Sequence, residues 1–148
     1  MVEHVTVVDA SIVVDWVAPG AGPASPAMAT LSRLVDEGET LVSPRLLLEE
    51  VANALLTGLR RRRWSGAEAD AAYSRLRRLP VRIVDDERDL DRAWDLARRY
   101  DDHPIYDMVY VAVAERRGAV LVTADEGLRR RLSTLAWVVG PDSGSPRG

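Results

Sequence analysis

The sequence predicts a three-layer α/β/α fold with a central, mostly parallel five-stranded sheet. Three observations carry that expectation. The run Val5-Thr6-Val7-Val8 has no alternation of apolar and polar residues, the pattern of a strand buried on both faces. Short apolar runs recur along the chain, separated by segments of helical period, as in repeated strand–helix units. Acids close the strongest runs, where ligands bind in open α/β sheets. With 148 residues, 47% of them hydrophobic, the chain suffices for one full core and not for two comfortable domains. Its domain is expected to span residues 1–140, with 141–148 a flexible tail.

Taken in order, the first strand ends at Asp9, and Ser11–Val17 makes a short helix before Pro19-Gly20-Ala21-Gly22-Pro23 breaks it. Ser25 caps a second helix, with Pro26 in its first turn, that runs to Gly38. Thr40-Leu41-Val42 reads as the second strand. Ser43-Pro44 reads as a further cap and first-turn proline, starting a helix from about Pro44 to Leu59 with Leu47, Val51, Ala54 and Leu55 as its stripe. Gly58 weakens the end of that helix, and Arg60–Arg63 follow it. Ser65 and Glu68 form a reciprocal cap for the next helix, which Pro80 stops.

Val81–Val84 is the third strand, less apolar and suited to an edge. Asp85 or Asp86 caps a helix through Leu90, Ala93, Trp94 and Ala97. Asp102-His103-Pro104 starts another, through Ile105, Met108, Val109, Ala112 and Val113, and Gly118 ends it. Ala119–Val122 is the fourth strand, Glu126–Leu132 a short helix, and Leu135–Val139 the fifth strand. Trp16, Trp64, Trp94 and Trp137 are expected in the core or an interface, and His103 at a helix start.

Composition excludes several chemistries. Cysteine is absent, which removes disulfides, thiolate catalysis and cysteine zinc sites. The two histidines, His4 and His103, make a histidine-rich metal site improbable. All 20 basic residues are arginine; without lysine there is no phosphate-loop hydrolysis and no Schiff base. Net charge is −3, unlike a general nucleic-acid binder, although arginine forks suit phosphate. No leader peptide or membrane-length apolar run is read, so a cytoplasmic protein is expected.

Four acids carry the chemistry. Asp9 ends the first strand and Asp125 follows the fourth; if those strands are neighbours, the two lie side by side. Asp107 interrupts the apolar run Ile105–Tyr110, and Glu50 lies beside the stripe of its helix, sharing a face with Asn53. Carboxylates sharing a crevice repel one another unless protons or cations neutralise them. Oxygen ligands favour Mg²⁺ or Mn²⁺, one or two ions, serving hydrolysis of a phosphodiester. Ser11 and Thr123 either orient these carboxylates or merely cap helices. Arg60–Arg63 is either a phosphate-contacting run or a solvated helix end.

Four stretches together carry a family resemblance: Val7–Ser11, Ser43–Leu55, Tyr106–Ala112 and Leu121–Asp125. In that order and placement the chain resembles the PIN-domain ribonucleases, most closely the toxin component of bacterial VapBC toxin–antitoxin pairs. The resemblance implies that Asp9, Glu50, Asp107 and Asp125 bind Mg²⁺ or Mn²⁺ and support RNA hydrolysis. It also implies a homodimer, held through helices like Pro44–Leu59 and Ser65–Leu79, and a small antitoxin partner that covers the acidic crevice. The chain departs from many relatives at Asp15, a position that is basic in them. A metal-dependent DNA nuclease and a non-catalytic binding module are the alternatives.

Overall fold

The structure is a computed structural model and describes residues 3–100 and 104–142. Its elements are β1 (Val5–Val8), α1 (Ala10–Val17), α2 (Pro26–Asp36), β2 (Thr40–Pro44), α3 (Leu46–Arg60), α4 (Gly66–Arg78), β3 (Val81–Val84), α5 (Glu87–Tyr100), α6 (Tyr106–Arg117), β4 (Val120–Val122), α7 (Glu126–Arg131) and β5 (Val138–Val139). The five strands pair in the order β3-β2-β1-β4-β5, all parallel. Helices α1 to α4 pack on one another, and α5 packs on α6, which lies against β1, β2 and β4. The expected three-layer architecture is present.

The position of β1 follows from its composition. All four of its residues are buried, and the one polar side chain, Thr6, donates its hydroxyl to Glu39 at 2.7 Å. Such a strand needs a neighbour on each edge and a helix on each face. From β1 the chain builds outward through β2 to β3, then returns to the other side of β1 to lay down β4 and β5. The order therefore reverses between β1 and β4, and at such a switch point the connections diverge and leave a crevice at the carboxyl ends of the strands.

Several local expectations hold in detail. Ser65 and Glu68 exchange both bonds of a capping box at the start of α4. Ser25 caps α2 through the Met28 amide, with proline in the first turn. Gly118 closes α6 in the left-handed conformation, φ 60°, which glycine adopts without a Cβ penalty. β3 lies at the edge of the sheet, as its weaker apolar character suggested.

Others are corrected. Ser43 and Pro44 do not open α3: both belong to β2, and the Ser43 hydroxyl donates to the Val8 carbonyl at 2.8 Å, tying β2 to β1. α3 starts at Leu46 without a side-chain cap. α1 begins at Ala10, and its cap is Asp9 rather than Ser11. α6 begins at Tyr106, after Pro104; Asp102 and His103 lie outside the described residues. The fifth strand is only Val138–Val139.

Trp94 is not a core residue: it and Leu90 are 60% and 59% exposed. α5 instead turns Asp89, Ala93 and Leu96 inward, because buried Asp89 is gripped by Arg116 of α6 through bonds of 2.7 and 2.8 Å. That pairing puts Leu90 and Trp94, four residues apart, on the outer face. Gly58, expected only to weaken α3, makes room for an aromatic ring: a Cβ there would run into the Trp64 indole, whose N–H donates to the Leu55 carbonyl at 2.9 Å. Beyond the last strand, the Thr30 hydroxyl donates to the Pro141 carbonyl at 2.8 Å, and residues 143–148 lie outside the described part.

Candidate active site

Topology delivers all four acids toward the carboxyl edge of the sheet. Asp9 directly follows β1 and Asp125 lies three residues after β4, on either side of the switch point. Glu50 is in the second turn of α3, the helix that leaves β2 at that edge. α6 ends just before β4 begins, so its first turn, which holds Asp107, lies at the same edge.

Asp9 is buried, only 4% exposed. Its Oδ1 accepts the Ser11 hydroxyl at 2.6 Å and the Ile12 amide at 3.2 Å. Ser11 in turn accepts the Ala124 amide at 2.9 Å and lies 3.2 Å from the Thr123 hydroxyl, which accepts the Asp125 amide at 3.0 Å. A polar seam thus joins the ends of β1 and β4. Burial pushes the Asp9 carboxyl above the usual carboxylate range; the Ser11, Thr123 and Ile12 donors oppose this, and the nearby charge of Asp125 adds to it. Ser11 therefore does more than cap: it donates to Asp9, and Thr123 adjoins it from the β4 side.

Glu50 and Asp107 form the other side. The Tyr110 phenol donates to Glu50 Oε1 at 2.6 Å. Burial raises the Glu50 carboxyl, the Tyr110 bond lowers it, and the charge of Asp107 raises it. Asp107 is half-buried and paired with Arg131 of α7 at 3.4 Å. Tyr110 itself is 1% exposed, and its phenol is held far above its ordinary range by burial, by the Glu50 bond and by the charges of Glu50, Asp9 and Asp107. Like-charge coupling thus runs from Asp125 to Asp9 and from Glu50 to Asp107, with Tyr110 feeling charge from both sides.

Asp125 also caps α7, accepting the Leu128 amide at 3.0 Å. Asn53 is exposed on α3. Arg60–Arg63 are exposed at the far end of α3, about 15 Å beyond Glu50 at 1.5 Å per residue. Helix α7 brings a cation to the crevice, Arg131 beside Asp107. A Cβ built on Gly127 would lie 3.2 Å from Asp125 Oδ1 and 3.6 Å from an Arg131 nitrogen. Neither Tyr110 nor Arg131 was singled out from sequence: the first sits in an apolar run that reads as core, the second in a charged run that reads as solvated.

The donor set is carboxylate oxygen with hydroxyl support, the chemistry of a hard divalent ion. Partial burial and mutual repulsion make the carboxylate charges costly, a cost that such an ion would relieve. Among the described residues no three of the acids are close enough together to grip one ion between them.

A parallel sheet whose switch point is ringed by acids from four segments defines an acidic α/β crevice protein. The family model described as the PIN domain matches residues 6–131, and the chain belongs to that family. It is 36% identical over 124 residues to Ribonuclease VapC3 of Mycobacterium tuberculosis, covering 84% of this chain and 85% of the relative. Among solved structures, a protein of Pyrobaculum aerophilum superposes with a TM-score of 0.69 at 25% identity, over 93% of this chain and 90% of that one. VapC20 of Mycobacterium tuberculosis, a sarcin–ricin loop cleaving toxin, superposes with a TM-score of 0.62 at 20% identity, over 90% and 96%. A chain of a toxin–antitoxin complex from Klebsiella pneumoniae gives 0.61 at 15% identity, over 92% and 97%.

Proposed function

We propose that this chain is a metal-dependent endoribonuclease, the toxin of a type II toxin–antitoxin pair. The observation that carries the reading is that Asp9, Glu50, Asp107 and Asp125 all lie at the carboxyl edge of the sheet, in a chain 36% identical to Ribonuclease VapC3. Asp9 and Asp107 are the primary ligands of Mg²⁺ or Mn²⁺, and Glu50 and Asp125 complete the set. A bound ion supplies Lewis-acid stabilisation to phosphate oxygens and acidifies water. Ser11 of α1 holds Asp9 in place, backed by Thr123 from the β4 side. Arg131, already beside Asp107, offers a planar fork to an incoming phosphate. Unpaired RNA suits the shallow crevice better than a DNA groove does.

The partner is a small antitoxin, and the toxin itself is a cytoplasmic homodimer. Leu56 on α3 and Tyr73 on α4, each 50% exposed, put apolar area on the two helices through which the dimer would form. No helix among the described residues is long and apolar enough to cross a membrane.

The test is cleavage of single-stranded RNA by the wild type and by Asp9→Asn, Glu50→Gln, Asp107→Asn and Asp125→Asn, with Mn²⁺ and with chelator, beside a DNA substrate. Cleavage that needs the ion and falls at least about 100-fold in Asp9→Asn and Asp107→Asn is expected, since removal of transition-state charge stabilisation typically costs that much. Undiminished cutting by Asp9→Asn defeats the assignment. Absence of both cleavage and ion uptake in the wild type leaves a non-catalytic binding module.

A further inference from the structure

Tyr110 belongs to none of the acidic positions, yet its hydroxyl stands among them. Its ring is buried in α6, where the run Tyr110–Ala114 is buried throughout, and its oxygen lies 2.6 Å from Glu50 Oε1. Glu50 comes from a different helix and reaches the crevice on a flexible stem. Charge from Asp9 and Asp107 acts on the same hydroxyl. An unrestrained glutamate facing like charges would swing toward water. A phenol donating to one of its oxygens opposes that swing and leaves the other oxygen, Oε2, for a cation.

We propose that Tyr110 is a positioning residue for the divalent ion: it anchors Glu50 by Oε1 so that the carboxylate stays aimed into the crevice. The inference rests on the metal-nuclease reading above and deepens it. Tyr110 touches neither ion nor RNA; it acts through Glu50. Ser11 performs the matching service for Asp9 from the opposite wall, with a bond of the same 2.6 Å length. Each wall of the crevice therefore carries a hydroxyl that fixes one acid.

The experiment is calorimetric titration of Mn²⁺ into the wild type, Tyr110→Phe, Glu50→Gln and the double variant, with metal-free thermal melts alongside. Tyr110→Phe keeps the ring and removes one oxygen. Its Mn²⁺ affinity is expected to fall about 10- to 100-fold, the usual loss when a hydrogen-bond partner of a metal ligand is removed. In the Glu50→Gln background the same change is expected to cost nothing further, because the residue it acts through has already lost its charge. A buried residue important only for packing would lower the melt and leave that pairwise dependence absent.

Should Tyr110→Phe fail to fold, Glu50→Asp tests the same contact with Tyr110 intact, since the shorter stem withdraws the carboxylate from the phenol. It is expected to lose affinity similarly. Wild-type affinity in Tyr110→Phe or in Glu50→Asp overturns the inference alone, as do losses that multiply in the double variant. A wild type that takes up no Mn²⁺ overturns the nuclease reading and this inference together.

Discussion

Replacing Asp9 by Asn is expected to abolish function and stabilise the fold, two effects of opposite sign. Asparagine caps a helix about as well as aspartate, so α1 keeps its start. The Ser11 and Ile12 donors keep an oxygen to bond, now without charge assistance. That weakening costs roughly 1–2 kcal/mol across two bonds, from the difference between charged and neutral hydrogen bonds. Against it stands the removal of a carboxylate that is 4% exposed and faces Asp125. Burying an ion costs several kcal/mol after relaxation. Burial is the dominant influence on Asp9 and outweighs its donors, so the net effect of the charge on folding is unfavourable.

The expected gain in metal-free protein at pH 7 is about 1–3 kcal/mol, or roughly 3–10 °C in Tm for a chain of this size. The pH dependence fixes the cause. A carboxyl raised in the folded state stabilises fully below its unfolded value, here 3.8, and that contribution is lost as pH rises through the folded value. The advantage of Asp9→Asn should therefore vanish below about pH 4 and grow from there upward. The assay is chemical denaturation of both proteins from pH 3.5 to 8 in chelator. Mn²⁺ should then raise the wild-type Tm and leave the variant unmoved. A variant less stable at pH 7, or a difference that does not change with pH, refutes the reasoning.

Arg116→Ala strands the buried Asp89 carboxylate and should cost about 3 kcal/mol by denaturant titration; a loss under 1 kcal/mol would show that water reaches Asp89. Gly58→Ala gains about 1 kcal/mol of helix propensity but evicts the Trp64 indole, so a net loss of about 2 kcal/mol and a red-shifted tryptophan emission are expected. Ser11→Ala removes the donor to Asp9 and the acceptor of the Ala124 amide. It should destabilise by about 1–3 kcal/mol and weaken Mn²⁺ uptake by calorimetry. Arg131→Ala removes the ion pair to Asp107: tighter Mn²⁺ binding with weaker RNA binding is expected, the latter read as a shallower salt dependence.

The parts legible in the sequence are those whose physics is local. A run of Val and Thr without alternation can only be buried on both faces, so the centre of the sheet was readable from Val5–Val8. The Ser65–Glu68 box and Gly118 are caps whose geometry lies within a single turn, and they were equally plain. Ser43-Pro44 misled because a serine before a proline satisfies the local rule for a helix start. A tertiary bond, Ser43 to the Val8 carbonyl, took the hydroxyl and kept both residues in β2. Trp94 lies outside the core for the converse reason: an ion pair on the neighbouring turn, Asp89 with Arg116, chose which face of α5 turned inward. In each case a partner more than twenty residues away, the Val8 carbonyl or the Arg116 guanidinium, overruled a signal confined to a few.

The same division governs the crevice. A carboxylate at a strand end or inside an apolar run is conspicuous because burying it is costly without compensation, so the acids stood out as residues. Their supports did not. Tyr110 is mostly ring, and in a helix of buried residues its ring accounts for its presence; only the partner 60 residues away shows what the oxygen is for. Ser11 could be read from sequence either as an orienting hydroxyl or as a plain cap; Ala124 and Thr123, from the far side of the switch point, converge on it in the fold. The charges that chemistry requires are thus written locally, while what the neutral hydroxyls bond to is written only in the fold. Variants of Tyr110 and Ser11 should consequently change ion affinity while leaving the charge of the crevice untouched, a separation that no neutralising substitution of the acids can produce.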